Sequence, residues 1–486
     1  MKRNIIKILV IVPLILATVF SCSDYLELEP QDNLIQQEFW QNKEQVAAAV
    51  AGCYASMNQS GFTDRILKWG ELRAEMLVSL RAGSNELNMM KNYIIPTNSL
   101  VNWSNFYQTI NYCNLVLEFA DSAKENDLSF TEQELANYKA EVLTIRALVY
   151  LTLVKNFRDV PLVLTATSTS QVDFYPAKST EAEVIAQIIS DLKIAVEDLN
   201  LGYAQSAAYD KGRMTKGAAL AILADAYLWS EQYNECIAAT QQIIDSGRYS
   251  LVEGSEWFNQ IFFEGNSTEG IFELQFSDIN STYQNAFYVG NPTYAPFGEI
   301  GQLYLGYPDD VRTDKATYDR DLNRVFKFAG VDATGEYRGQ QEFFNTFIFY
   351  RYAEVLLMQA EAYILSSENK DLDKAADLIE QVHQRATGAP LDVAIEEGAL
   401  LNAVLLERQK EFAFEAKRWY DLLRFARRNN FQDQYLITDL ADIKSTADDY
   451  ELILSFYSEQ ESYFLPIYQN EVDLNPNLEQ NPYYEN

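Results

Sequence analysis

Two kinds of chemistry stand out in this chain: one reactive thiol near its start, and clusters of aromatic and amide side chains further on. The thiol belongs to Cys22, in the stretch TVFSCSDYL. Lys2, Arg3 and Lys7 precede an apolar run, Ile8 to Phe20, of thirteen residues broken only by Pro13 and Thr18. That length suits the core of an export signal and falls short of the roughly 20 apolar residues of a membrane span. Val19, Phe20, Ser21 and Cys22 read as a lipoprotein cleavage box, in which the small Ser21 precedes the cut and the Cys22 thiol takes the lipid, such as palmitate. Phe20 is bulkier than usual there, which predicts slow cleavage. The alternative is an ordinary signal peptide with an incidental cysteine. Residues 1–21 are thus expected to be a signal peptide, and 22–486 the mature chain, anchored to a membrane through lipid.

Sugar recognition needs apolar ring faces for pyranose C–H groups, with planar donors and acceptors for the hydroxyls. Two irregular stretches, about 59–103 and 250–345, have that mixture. Within the second, residues 281–307 hold seven aromatics in 27 residues, against a chain average of 13%, and Gly290, Pro292, Pro296, Gly298, Gly301 and Gly306 break any long helix. Tyr283, Tyr288, Tyr294 and Trp69 are the expected stacking surfaces. Arg73, Asn85, Glu86, Asn88 and Asn291 are the expected polar partners. The alternative is that these aromatics cover the core from outside.

Catalytic and metal chemistry find less support. His383 is the only histidine, so a two-histidine zinc site is impossible. A Ser-His-Asp or Cys-His device would have to use it, and no G-x-S-x-G is present; a polar helix-face residue is the expectation. Two carboxylates suffice for a glycosidase, so composition leaves that open, but no enzyme activity, cofactor or metal is expected. Asp309, Asp310, Asp314, Asp319 and Asp321 match no calcium loop and are expected to form a solvated acidic loop. Cys53, Cys113 and Cys236 lie in Ala- or Leu-rich settings and read as small buried apolar residues.

The net charge of −32 over 486 residues argues against nucleic acid, whose phosphates demand Lys and Arg, and against an anionic membrane surface. A hydrophobic content of 48% argues for a folded core rather than disorder.

The elements that must position these residues are mostly helices. Apolar periodicity predicts helix over 43–58, 104–121, 132–157, 180–199, 215–231, 233–246, 351–367, 371–386 and 396–428. Thr180 before Glu181 and Glu183 reads as a helix start, and Gly247 and Gly388 as stops. Ala51–Tyr54, Ala147–Tyr150, Ala224–Tyr227 and Ala360–Tyr363 share an A-x-x-Y spacing that puts a small and a large side chain on one helix face. In two cases a second Ala-rich helix follows. The pattern predicts an all-α fold of tetratricopeptide-like helix pairs, with irregular, aromatic-rich loop insertions. Chance recurrence in an Ala-rich helical chain is the alternative.

ERQKEFAFEAKRWYDLLRF (407–425) and YFLPIYQNEVDLNPNLEQNPYY (463–484) resemble hallmark segments of the SusD/RagB family, and YLELEPQDNLIQQEFWQNKEQVAAAVAGCYASM (25–57) resembles the family's opening. Ala416 stands where the family usually has Gly; as a good helix former it predicts no functional loss. Glu411, Glu415 and Arg418 are spaced to pair with one another along a helix, and Phe412, Trp419 and Leu423 to face the core. The Asn-Pro tail, 475–482, is expected to wrap the surface. The resemblance implies a SusD-like fold and a nutrient-binding outer-membrane lipoprotein that captures an oligosaccharide or polysaccharide at the cell exterior. It also implies delivery to a SusC-like TonB-dependent transporter, which such proteins cover as a lid. Asp24, Glu27 and Glu29 resemble the acidic signal for the outer face. A peptide-binding member of the family is the alternative.

Overall fold

The computed structural model describes residues 39–167, 173–276, 278–331 and 335–485. The export signal, Cys22 and the acidic residues after it lie outside the described residues.

Several helices begin at side-chain caps written in the sequence. Asn42 caps α1 (Lys43–Met57) through its side-chain oxygen. Thr131 and Thr180 each form a reciprocal capping box, with Glu134 at the start of α5 (Glu132–Phe157) and with Glu183 at the start of α6 (Glu181–Asp198). Helix α4 (Ser104–Asn126) packs between α1 and α5, and α5 packs on α6. Two further pairs follow: α7 (Lys216–Trp229) on α8 (Tyr233–Asp245), and α10 (Tyr352–Leu365) on α11 (Leu372–Thr387). Gly388 ends α11 in the left-handed conformation at φ 68°. Stacked helix pairs are therefore the scaffold. In three of the four A-x-x-Y copies both residues are buried in it; in the first, Ala51 faces solvent and Tyr54 is half-buried. Cys53, Cys113 and Cys236 are buried free thiols, as the apolar settings imply. No helix among the described residues is long and apolar enough to cross a membrane.

The first irregular stretch contains more helix than its composition suggests: α2 (Ser60–Glu71) and the short α3 (Ser84–Met90). The second is a chain of short elements, with α9 (Ser281–Phe287) capped by Asn280. A three-residue antiparallel ladder joins the two stretches: β1 (Leu77–Ser79) pairs with β3 (Tyr294–Pro296), Ser79 opposite Tyr294. A longer ladder, β2 (Gly270–Leu274) with β4 (Phe347–Arg351), leads into α10.

The expected continuous helix over 396–428 is two helices, α12 (Glu397–Glu411) and α13 (Arg418–Phe431). Phe414 and Ala416 between them have φ of 68° and 61°. Ala416 is therefore no helix former here; it sits in the left-handed region where a Cβ is strained. The break also redirects the charges. Glu411, Glu415 and Arg418 do not pair with one another. Arg351 donates to Glu269 (2.6 Å), Glu411 (2.6 Å) and Glu415 (2.9 Å). Lys327 donates to Glu415 at 2.9 Å, and Arg418 reaches Glu75 at 2.7 Å. Arg312 bridges Asp310, Glu407 and Glu411. Asp310 and Asp319 are thus buried ion-pair partners rather than parts of a solvated loop, Asp319 being held by Lys315 at 2.6 Å. His383 is likewise buried, 3.3 Å from Glu407. Phe412, Trp419 and Leu423 face the core. In the C-terminal tail, Asn475 and Asn477 donate to the carbonyls of Pro176 and Tyr175, and Asn481 to that of Glu461.

Candidate ligand-binding site

The β1–β3 ladder brings α2, α3 and α9 around a cavity of about 420 Å³. Gly61, Asp64, Arg65 and Lys68 line it from α2; at spacings of three and four they share one face of that helix. The opposite face carries Phe62, Ile66, Leu67 and Trp69 into the core. Glu86 enters from α3, and Ser281, Thr282, Asn285 and Ala286 from α9, with Tyr294 from the start of β3 and Thr293 just before it. The hydroxyls of Thr63 and Thr282 share a 2.8 Å hydrogen bond that fixes α2 against α9.

Charges in the cavity are unevenly matched. Lys68 Nζ lies 2.9 Å from Asp64 and 3.2 Å from Glu86. Arg65 donates to the Gly61 carbonyl and to Asn105 Oδ1 at 3.2 Å. The Tyr294 ring is 2% exposed, and its buried hydroxyl makes no hydrogen bond among the described residues. Burial, reinforced by the negative charges of Glu86 and Asp64, raises its pKa, so the hydroxyl stays protonated and able to donate. A buried hydroxyl without a partner costs stability, a cost that a ligand reaching it would offset. Asp64 and Glu86 share the one Lys68 ammonium, and their oxygens are of the kind that accept from sugar hydroxyls.

Of the residues anticipated from the sequence, Glu86 and Tyr294 line this cavity. Three others lie in the interior and offer no face to a ligand. Trp69 is fully buried, stacks on Phe106 at 5.0 Å and donates its indole N–H to the Leu100 carbonyl. Tyr283 is sandwiched against Phe328 at 4.0 Å and Phe347 at 5.5 Å. Arg73 lies over the Trp419 ring at 3.9 Å and donates to the carbonyls of Ser462 and Tyr463, tying down the C-terminal segment. Asn85 stands one layer back, bonded to Ser99, which itself lines the cavity. Asn88, Tyr288 and Asn291 are not in the lining; Tyr288 meets Phe343 edge-on at 6.1 Å. Sequence reasoning missed Asp64, Arg65, Lys68 and Asn285, and the first three carry one readable signal. The i, i+3, i+4 and i+7 positions of the segment SGFTDRILKWGE are small or charged, opposite an apolar face.

Among the described residues no cluster of His, Cys, Asp and Glu is arranged to hold a metal ion.

Two family models together match nearly the whole chain. The SusD family model matches residues 229–484. The other, described as starch-binding and associating with the outer membrane, matches residues 24–228. A SusD-like protein of Formosa agariphila is 26% identical over 468 residues, covering 84% of this chain and 89% of the relative. A SusD-like protein of Bacteroides ovatus is 24% identical over 467 residues, covering 84% and 80%. A solved SusD superfamily protein from Bacteroides vulgatus superposes with a TM-score of 0.75 at 25% identity, over 91% of this chain and 99% of that one. Another, from Bacteroides fragilis, gives 0.75 at 20% identity over 92% and 100%, a likeness of fold.

Proposed function

The chain belongs to the SusD family, and from that premise we propose that it is a cell-surface binding lipoprotein that captures an oligosaccharide in the cavity between α2, α3 and α9. The lipid on Cys22 anchors it to the outer membrane, facing the exterior, and a SusC-like TonB-dependent transporter receives the ligand. It acts as a binder, not an enzyme.

The observation that carries this reading is the unpartnered Tyr294 hydroxyl, buried beside Glu86 in a cavity whose other groups are sugar-hydroxyl partners. Asn285 adds an amide and Ser281 a hydroxyl. The cavity is walled by the two insertions rather than by the stacked helix pairs, so the scaffold is free to hold a partner while the loops hold the ligand. Preformed walls reduce the ordering cost that makes hydrated sugars weak ligands.

The test is affinity electrophoresis of the purified protein through gels containing plant, microbial and host polysaccharides, with hits titrated by calorimetry. Retardation by a glycan, lost on Asn285→Ala and on Glu86→Gln, is the expected result. Retardation that neither substitution changes would remove the cavity from the reading. Binding of a peptide mixture, with no glycan bound, would replace the sugar.

A further inference from the structure

The two cations on the cavity face of α2 are not equivalent. Lys68 has its charge met twice, by Asp64 at 2.9 Å and by Glu86 at 3.2 Å. Arg65 forms no ion pair among the described residues. Its Nη1 donates only to neutral oxygens, those of Gly61 and Asn105, and its buried Nε has no partner. Burial lowers its pKa, while nearby Asp64 raises it; the guanidinium stays charged all the same. A guanidinium partly withdrawn from water, lacking a carboxylate, gains more from an incoming anion than one already paired. Its planar fork matches the oxygens of a carboxylate or a sulfate, and such charge-assisted bonds are roughly twice as strong as neutral ones.

We propose that the oligosaccharide taken by this cavity carries an anionic substituent, a uronate carboxylate or a sulfate ester, and that Arg65 binds it. This rests on the cavity being the oligosaccharide site. Glu86, Asn285 and the Tyr294 hydroxyl then serve the neutral hydroxyls of the same ligand. The chain's net charge of −32 opposes an anion at long range. That field is screened beyond about 8 Å at physiological ionic strength, and a contact with Arg65 is made well inside that distance. Lys68 also offsets one of the two neighbouring carboxylates.

The test compares matched ligands on the intact protein by calorimetry: oligogalacturonate against its carboxyl-reduced form, and a sulfated galactan oligosaccharide against its desulfated form. The expected result is that one anionic ligand binds about tenfold more tightly than its neutral counterpart, a difference of about 1.4 kcal/mol. Arg65→Gln should erase that preference and Arg65→Lys retain part of it. Which pair shows the preference tells uronate from sulfate. Equal or tighter binding of the neutral partners, still lost on Asn285→Ala, would overturn the anionic inference and leave the cavity reading intact. A preference that persists in Arg65→Gln would also overturn it. Glycan binding indifferent to every cavity substitution would overturn the cavity reading itself. Where Arg65→Gln fails to fold, the wild-type comparison still decides the charge of the ligand, and Arg65→Lys tests the residue.

Discussion

Gly70 lies against the backbone of Ala416: a Cβ on Gly70 would stand 2.6 Å from the Ala416 carbonyl carbon and 2.8 Å from its Cα, with the carbonyl oxygen closer still. The last turn of α2, which carries the cavity face, is thereby pressed onto the break between α12 and α13. Gly70→Ala has no flexible side chain to push aside, so the helix itself must move. The expected cost is about 2–3 kcal/mol, read from urea denaturation. Ala416→Gly relieves a φ of 61° and should stabilise by about 1 kcal/mol. A destabilised Ala416→Gly would show that its methyl contributes more by packing than its conformation costs.

Glu71, the neighbour of Gly70, is fully buried and has no ion-pair partner among the described residues. Burial pushes its pKa up to about 8, and the Glu75 charge adds to the rise. The backbone amides of Ala416 and Lys417 and the charge of Lys327 offset part of that rise. The folded state therefore keeps a proton that the unfolded chain releases near the ordinary glutamate value of 4.5. Stability should fall as pH rises between about 4.5 and 8, by up to about 1.4 kcal/mol per pH unit from this group. Glu71→Gln should remove that slope, leaving stability similar at pH 4.5 and higher at pH 8. An unchanged slope in denaturation midpoints across this range would reject the assignment.

How much of this was legible in the sequence depends on the distance over which each feature is decided. Thr180 and Glu183 are three residues apart, and their capping box needs nothing else. The A-x-x-Y pairs of α5, α7 and α10 are decided within one helix turn. By contrast, Trp69 looked available because Gly61 and Gly70 obscured the periodicity of α2; once that helix forms, Trp69 shares the core face with Phe62 and Ile66. Ala416 looked helical because local propensity favours it, but Arg312, Lys327 and Arg351 pull Glu411 and Glu415 to partners far away in the chain. Glu86 and Tyr294 meet only because Ser79 pairs with Tyr294, and no local pattern fixes that register.

Arg351 satisfies three buried carboxylates at once, those of Glu269, Glu411 and Glu415, and is 1% exposed. Arg351→Met keeps much of the volume and removes the charge, leaving the acids short of a cation. Breaking a buried ion cluster in this way costs about 3–5 kcal/mol. Thermal denaturation should show that loss. A change below about 1 kcal/mol would mean that Arg312, Lys327 and Arg385, which also pairs with Glu269 at 3.0 Å and with Glu411, cover the deficit.

Tyr294→Phe separates a ligand-binding role from a structural one. Among the described residues the hydroxyl makes no hydrogen bond, so its removal breaks none of theirs and relieves a desolvated polar group. Stability should stay level or rise by up to about 1 kcal/mol in denaturant titrations. If the hydroxyl donates to a bound sugar, the same substitution should weaken binding by about 0.5–1.5 kcal/mol, roughly twofold to tenfold in Kd by calorimetry. Weaker binding without lost stability cannot come from a damaged fold, because the ring and its packing remain. Reduced stability with unchanged binding would instead give the hydroxyl a partner inside the protein, such as an ordered water, and remove Tyr294 from the ligand site.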